Sequence, residues 1–285
     1  MYSSIFSVIN KIPPQRSMVN NPTISVVIPC YNDGVYLQET LNRLNEQTYK
    51  DFEIIIVNDG STDDNTLSKL DEISQSNQAT VYHIPNSKMS AARNYAIERA
   101  RGNMIVALDA DDYFDKTFFA KALKYLAENQ DTAVVSSYIQ NFGLNNRVFK
   151  PRGGTVDNFL FSNQCAMCSM FRKEVWEKVG GLDENMKEGY EDWEFFLSIT
   201  SLGYKIKILP EKLFFYRQTK KSTLATQSIP NQGKLLDYML EKHADVYKER
   251  LKNLIMKEQV LFTESRIAWP QIIKMIKNRI SGKYK

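Results

Sequence analysis

At 285 residues, 43% hydrophobic and 25% charged, the chain is long enough for one large α/β domain or two modest ones and can bury a core. This excludes a peptide-sized module and disorder along the whole length. A net charge of +4, three cysteines (Cys30, Cys165, Cys168) and two histidines (His83, His243) exclude a disulfide framework and a multi-histidine metal site, and predict a reducing, cytoplasmic setting.

Residues 24–29 are a β-branched run ending at Pro29 and followed by the polar turn 30–34, which predicts a buried strand feeding a loop. Val35, Leu37, Leu41 and Leu44 fall near helical spacing, and 53–57 is a second apolar strand. The alternation continues through a helix at 67–73, a strand at 80–84, a helix at 90–101 and a strand at 104–108. Near-continuous apolar strands separated by helices predict a parallel sheet covered on both faces, with ligands beyond the carboxyl ends of the strands. A helix over 116–129 and a strand over 132–139 precede a turn-rich stretch, 141–154, suited to a hairpin. A helix at 190–201, strands at 205–209 and 212–216, and a helical tail from about 230 complete the chain. The sequence has no run of 18 apolar residues and no signal peptide in its first 22, so neither a span nor export is expected.

Charge is uneven. Residues 241–285 carry 11 Lys or Arg against 5 Asp or Glu, and residues 266–285 carry six basic side chains and no acidic one. Interleaved with Ile267, Trp269, Ile272, Ile273, Met275, Ile276 and Ile280, they suit a segment lying on an anionic membrane at the inner face of the cell. A closing helix with a packed apolar side and solvated lysines fits equally well. No nucleic-acid recognition motif accompanies the charge.

Three acidic segments follow predicted strands or open a helix. Asp109-Ala110-Asp111-Asp112 puts three carboxylates in four residues. If that segment is extended, Asp109 and Asp111 point the same way and could address one Mg²⁺ or Mn²⁺, and the competing reading is a cap for the helix near 116. In Asp59-Gly60-Ser61-Thr62-Asp63, Asp63 is placed to cap the next helix, which leaves Asp59 free to accept from a ribose or base. Glu191-Asp192 opens a helix rich in aromatics, where partial desolvation raises a carboxyl toward general-base range; a complement to the helix dipole is the alternative. Cys165 and Cys168 form a lone CxxC that in a strand would face opposite sides, and the Gly-Gly pairs at 153 and 180 lack phosphate-loop spacing.

Five ordered blocks carry a resemblance: Val26-Val27-Ile28-Pro29-Cys30-Tyr31-Asn32, Ile54 to Asp63, Ala91-Ala92-Arg93-Asn94, Leu108 to Asp112, and Gly180-Gly181-Leu182-Asp183-Glu184 followed by Glu191-Asp192. Together they resemble the inverting glycosyltransferases of family 2, over about residues 23–225. The resemblance implies an α/β, Rossmann-like GT-A fold with a mostly parallel sheet, an N-terminal extension at 1–22 and a helical, basic C-terminal extension at 226–285. It implies a nucleotide-sugar donor, UDP-linked, and a glycan, lipid-linked or other hydroxyl acceptor in polysaccharide assembly.

By the same resemblance Pro29, Tyr31 and Asp59 hold the nucleotide and Arg93 reaches the same region. Asp109 contacts the ribose or sugar, Asp111 binds Mn²⁺ or Mg²⁺, and Asp192 is the general base. Such enzymes often carry a histidine two residues after the Tyr216-Arg217 pair. Here that position is Thr219, followed by Lys220 and Lys221, so Arg217 and the two lysines stand as phosphate partners or as a solvated basic loop. A non-catalytic GT-A-like binding module and a nucleotidyltransferase are the rival readings.

Overall fold

Four strands lie side by side in the order β3 (Thr80–Ile84), β2 (Phe52–Asp59), β1 (Ile24–Cys30) and β4 (Met104–Ala107), all parallel. They belong to a computed structural model that describes residues 21–219, 229–253 and 255–256. Residues 1–20 of the expected N-terminal extension, Lys220, Lys221 and the basic tail 266–285 lie outside the described residues. Beyond β4 the order continues with β8 (Met170–Arg172), β6 (Thr132–Gly143), β9 (Lys205–Gln218) and β5 (Tyr113–Phe114). The parallel half is the expected one. β8 then enters antiparallel to both β4 and β6, while β6 and β9 run parallel.

The two faces of the sheet follow from the two-residue period of a strand. Val26 and Ile28 of β1 turn to one side with Ile54 and Ile56 of β2, and Val27 turns to the other with Ile55 and Val57. On the first side pack α1 (Gly34–Asn45), α2 (Asp64–Gln75) and α4 (Phe118–Glu128), through Leu37, Leu41, Leu44, Leu70, Ile73, Phe118 and Phe119. Leu37 and Leu41, four apart on α1, are buried to within 1%, and truncating a leucine in such a place costs about 2–5 kcal/mol.

On the second side pack α3 (Lys88–Arg99), α6 (Lys173–Val179), α7 (Glu191–Ser201) and α8 (Gln232–Lys242). α7 is buried almost all round, through Trp193, Glu194, Phe195, Phe196, Leu197, Ile199 and Thr200, so it is a core helix rather than a surface one. Residues 244–253, also helical, follow α8.

One expectation changes and another holds. The strands expected at 205–209 and 212–216 are one strand, β9, whose register against β6 shifts where Leu209 faces Ser137 and Lys212 faces Tyr138. Pro210, with no N–H to donate, and Glu211 occupy that irregularity. The turn-rich stretch does fold back, as β7 (Val148–Phe149) paired antiparallel with β6. The short pieces β5, α5 (Val156–Phe159) and α6 carried too few residues for a periodic signal.

Candidate active site

The loops after β1 and β2 are sewn together by Asn32. Its backbone is left-handed, with φ of 58°, a conformation asparagine tolerates better than most residues. Its side-chain oxygen accepts from the amides of Thr62 and Asp63, and its own amide donates to Ser61 Oγ. Asp63 caps α2 as expected, accepting from Thr66 N at 2.8 Å. Gly60 has φ of +70°, and a Cβ there would stand 2.6 Å from Asn86 N, so the turn needs glycine. Tyr31, 47% exposed, projects beside this seam, with Pro29 half-buried at the end of β1.

Asp59 is not free. It is buried, and its two carboxylate oxygens accept the amides of Ser87 at 2.6 Å and Lys88 at 3.0 Å, fixing the start of α3. Any contact with a nucleotide has to use the remaining lone pairs of those oxygens.

The acidic segment after β4 is a turn, not an extended strand: Asp112 N donates to Asp109 O at 3.2 Å. Asp109 and Asp111 therefore do not share a side through strand alternation. Capping is also excluded, because Asp115 and Thr117 form the start of α4. Arg217 instead braces the turn. Its backbone N–H donates to Asp112 Oδ1 at 2.7 Å, its Nε to Asp111 O at 2.9 Å and its Nη2 to Glu39 Oε2 at 2.6 Å. The guanidinium also lies over the rings of Tyr36 and Phe142. Its Nε, Nη2 and backbone N–H are thus engaged within the protein, so any contact of Arg217 with a phosphate has to use its other N–H groups.

The turn concentrates negative charge. Burial, then the neighbouring Asp109 and Asp33 carboxylates, pushes Asp111 up to about 7. Asp112 is raised by burial and by Asp109 and Asp111, and its Oδ2 has no hydrogen-bond partner. Ligand atoms of Asp109, Asp112 and Cys168 lie within 4.8 Å of one another. Crowded carboxylate oxygens that oppose one another's ionisation, one of them orphaned, are a fitting donor set for a hard divalent cation. Cys168 lies in the core on the α1 side of the sheet and Cys165 in the core on the α3 side, so the CxxC pair is split by the sheet.

Behind this turn Arg93, 1% exposed, reaches from α3 to two carboxylates: Asp109 Oδ1 at 2.6 Å and Glu191 Oε1 at 3.3 Å. Each terminal nitrogen of Arg93 is engaged by one of these acids, so any contact with the nucleotide has to use the N–H groups that remain. Its neighbour Asn94 donates to Leu182 O and Glu184 Oε1 and accepts from Leu182 N and Trp176 Nε1. Two successive residues of one block thus gather two of the other blocks, through Asp109 and through Leu182, Glu184 and Glu191.

Tyr190, left-handed with φ of 63°, turns the chain into α7, whose first turn carries Glu191, Asp192 and Glu194 near the positive end of the helix dipole. Asp192 Oδ2 accepts from Asn163 Nδ2 at 2.8 Å and Oδ1 from Trp193 N at 2.7 Å. Burial and the adjacent Glu191 carboxylate nonetheless push Asp192 up to about 7, against the pull of the Trp193 amide, Arg93 and Asn163. A carboxylate in that range is half-protonated near neutrality and suits proton abstraction.

The model of the family described as glycosyl transferase family 2 matches residues 25–180. The chain belongs to glycosyltransferase family 2. An uncharacterized glycosyltransferase of Bacillus subtilis, EpsJ, is 27% identical over 91% of this chain and 82% of its own length. The crystal structure of S. aureus TarS 1–349 in complex with UDP-GlcNAc is similar at a TM-score of 0.61 and 21% identity, over 72% of this chain and 61% of that one. Mannosyltransferase PcManGT from Pyrobaculum calidifontis, in complex with GDP-Man and Mn²⁺, is similar at 0.54 and 20%, over 73% of this chain and 60% of that one. These likenesses show the GT-A fold, and the chain spans about three fifths of either solved relative.

For a family 2 protein, several site residues were invisible in the sequence. Asn163 lies in an aperiodic loop, and only the fold brings it to Asp192. Glu39 and Arg217 meet across 178 residues. Glu191 was visible as a neighbour of Asp192, but its pairing with Arg93 was not. Thr219 comes directly after Gln218, the last residue of β9.

Proposed function

We propose that this family 2 glycosyltransferase moves a sugar from a UDP-linked donor to a hydroxyl of a glycan or lipid-linked acceptor, with inversion and with help from Mn²⁺ or Mg²⁺. The observation that carries this reading is the buried Arg93, which ties the acidic turn through Asp109 to the base helix through Glu191. One acidic site suits the donor diphosphate and another, next to it in the fold, suits the acceptor proton.

In this reading Pro29, Tyr31 and Asp59 cradle the nucleotide, Tyr31 offering its exposed ring to the base. Asp109 contacts the ribose or sugar, held in place by Arg93. Asp111 is the metal ligand, and the Asp112 oxygen without a partner lies next to it in the same turn. A bound divalent cation supplies neutralisation of the charge that builds on the departing nucleoside diphosphate. Asp192 takes the proton from the acceptor hydroxyl as it attacks, with Asn163 fixing the carboxylate's orientation. A separate base and metal ligand allow a single displacement, which inverts the sugar without a covalent intermediate.

The test is a panel of nucleotide sugars with Mn²⁺, read by thermal shift and by release of nucleoside diphosphate. A UDP-sugar should stabilise the protein and be turned over. Release of pyrophosphate from a nucleoside triphosphate would overturn the reading in favour of nucleotidyl transfer, and binding without turnover would favour a non-catalytic module.

Among the described residues no helix is long and apolar enough to cross a membrane. The segment proposed to meet an anionic membrane is 266–285, on its six basic side chains. Vesicle binding that survives deletion of this segment removes that part of the proposal.

A further inference from the structure

α7 presents two carboxylates in its first turn, and they face different partners. Residues two apart on a helix are rotated by about 200°. Asp192 accordingly meets Asn163, while Glu194, 1% exposed, meets the end of α8 and the turn after it. Glu194 Oε1 lies 2.8 Å from His243 Nε2, 2.9 Å from Lys242 Nζ and 2.7 Å from Ser198 Oγ. Three donors converge on one buried oxygen. Burial alone would raise Glu194, yet the bonds from His243, Lys242 and Ser198 hold it below the usual carboxylate range.

Lys242 does not serve Glu194 alone. Its Nζ also lies 2.5 Å from Asp183 Oδ2, the oxygen that accepts from Tyr238 Oη at 2.8 Å. Asp183 belongs to the Gly180–Glu184 block that Asn94 also holds, through Leu182 and Glu184. Further along, Tyr247 Oη donates to Leu160 O, at the start of the loop that delivers Asn163 to Asp192, and Trp193 Nε1 donates to Phe159 O, at the end of α5 just before that loop. The C-terminal helices therefore touch the base helix, the loop before it and the loop that orients its carboxylate.

We propose that α8 and the turn after it are a clamp that positions the general base: Lys242 and His243, by holding Glu194 and Asp183, fix the first turn of α7 and with it Asp192. This rests on Asp192 as the base of the proposed transferase, and it makes the C-terminal extension from about residue 226 a working part of the catalytic half rather than an appendage. Lys242 and His243 are positioning residues, acting through Glu194. A buried carboxylate stripped of its donors is costly, so undocking α8 loosens the N-terminus of α7 before anything else.

The full chain is tested as Lys242→Met, His243→Leu and the double variant, with Lys242→Arg and His243→Gln as conservative controls that keep a donor. Hydrogen exchange of the α7 amides is read first, since it needs no substrate. The double variant should exchange at least tenfold faster at 191–197, while amides of β1 and β2 keep their protection and the controls stay near the parent. Turnover of UDP-GlcNAc with water, at saturating donor and Mn²⁺, is read second. The double variant should lose about tenfold in kcat with donor affinity unchanged within twofold, and should lose nothing further in an Asp192→Asn background. Unchanged exchange in α7, an equal loss of protection across the sheet, or a loss of kcat that persists undiminished beside Asp192→Asn overturns the clamp. A parent protein that turns over no nucleotide sugar overturns the transferase reading instead, and the exchange data then still decide whether α8 holds α7.

Discussion

Arg93 Nη2 lies 2.6 Å from Asp109 Oδ1 with the arginine side chain 1% exposed, so a full positive charge sits in the core against a carboxylate 28% exposed. The pairing is one half of a bridge, since Glu191 takes the other side of the guanidinium at 3.3 Å. Desolvation disfavours the buried cation, but the two acids more than offset it and keep Arg93 charged. Losing the arginine would leave both acids without a counter-charge at the join of donor and acceptor sides.

Arg93→Met should therefore destabilise the protein by about 3 kcal/mol, the lower end for breaking a buried pair, because the acids left behind retain partial contact with water. Denaturant unfolding of the variant and the parent at neutral pH checks this. A loss below about 1 kcal/mol would mean that the bridge holds nothing together.

Asp192→Asn keeps the shape but cannot take a proton, so transfer should fall by about 10²- to 10⁴-fold while donor binding survives. Stability should move the other way. A carboxyl whose folded value is about 7, against 3.8 unbound to structure, binds its proton more tightly in the folded state. Its stabilising contribution is complete below pH 3.8 and is lost as pH rises through 7. Asp192→Asn should accordingly be more stable than the parent at pH 8 and no more stable at pH 4, as thermal melts at the two pH values would show. Activity of the parent should rise with pH through about 7.

Asp111→Asn removes a hard anionic ligand, so donor binding should weaken together with the rate, and added Mn²⁺ should recover part of both. Chelation of the parent should abolish thermal stabilisation by UDP-sugar. Donor affinity independent of Mn²⁺ in both proteins would place the metal elsewhere or nowhere.

The three thiols should be inert in the folded protein. Burial raises Cys30 to about 12, and raises Cys165 and Cys168 as well, which leaves almost no thiolate at pH 8. Alkylation at pH 8 should reach none of them until denaturant is added. Rapid modification of Cys168 would show that the acidic turn opens to solvent.

Local pattern carried the alternating first half of the fold, because short β-branched runs such as 24–29 and 53–57, each closed by a polar turn, read as buried strands and the helices between them have a clear apolar period. The acidic turns after β2 and β4 and the acidic start of α7 were equally legible, since their residue types are local and their order matched a known family. The conformation of those turns was not. Asp109 and Asp111 were separated by a turn whose brace, Arg217, comes from the far end of β9, and Asp59 was drawn into the start of α3 by amides of Ser87 and Lys88. The same holds for Arg93 and for the Glu194, Lys242 and His243 group. Hydrogen bonds and ion pairs between residues tens of positions apart leave no period in the sequence, so which acid meets which base was decided by the packing of helices on the sheet.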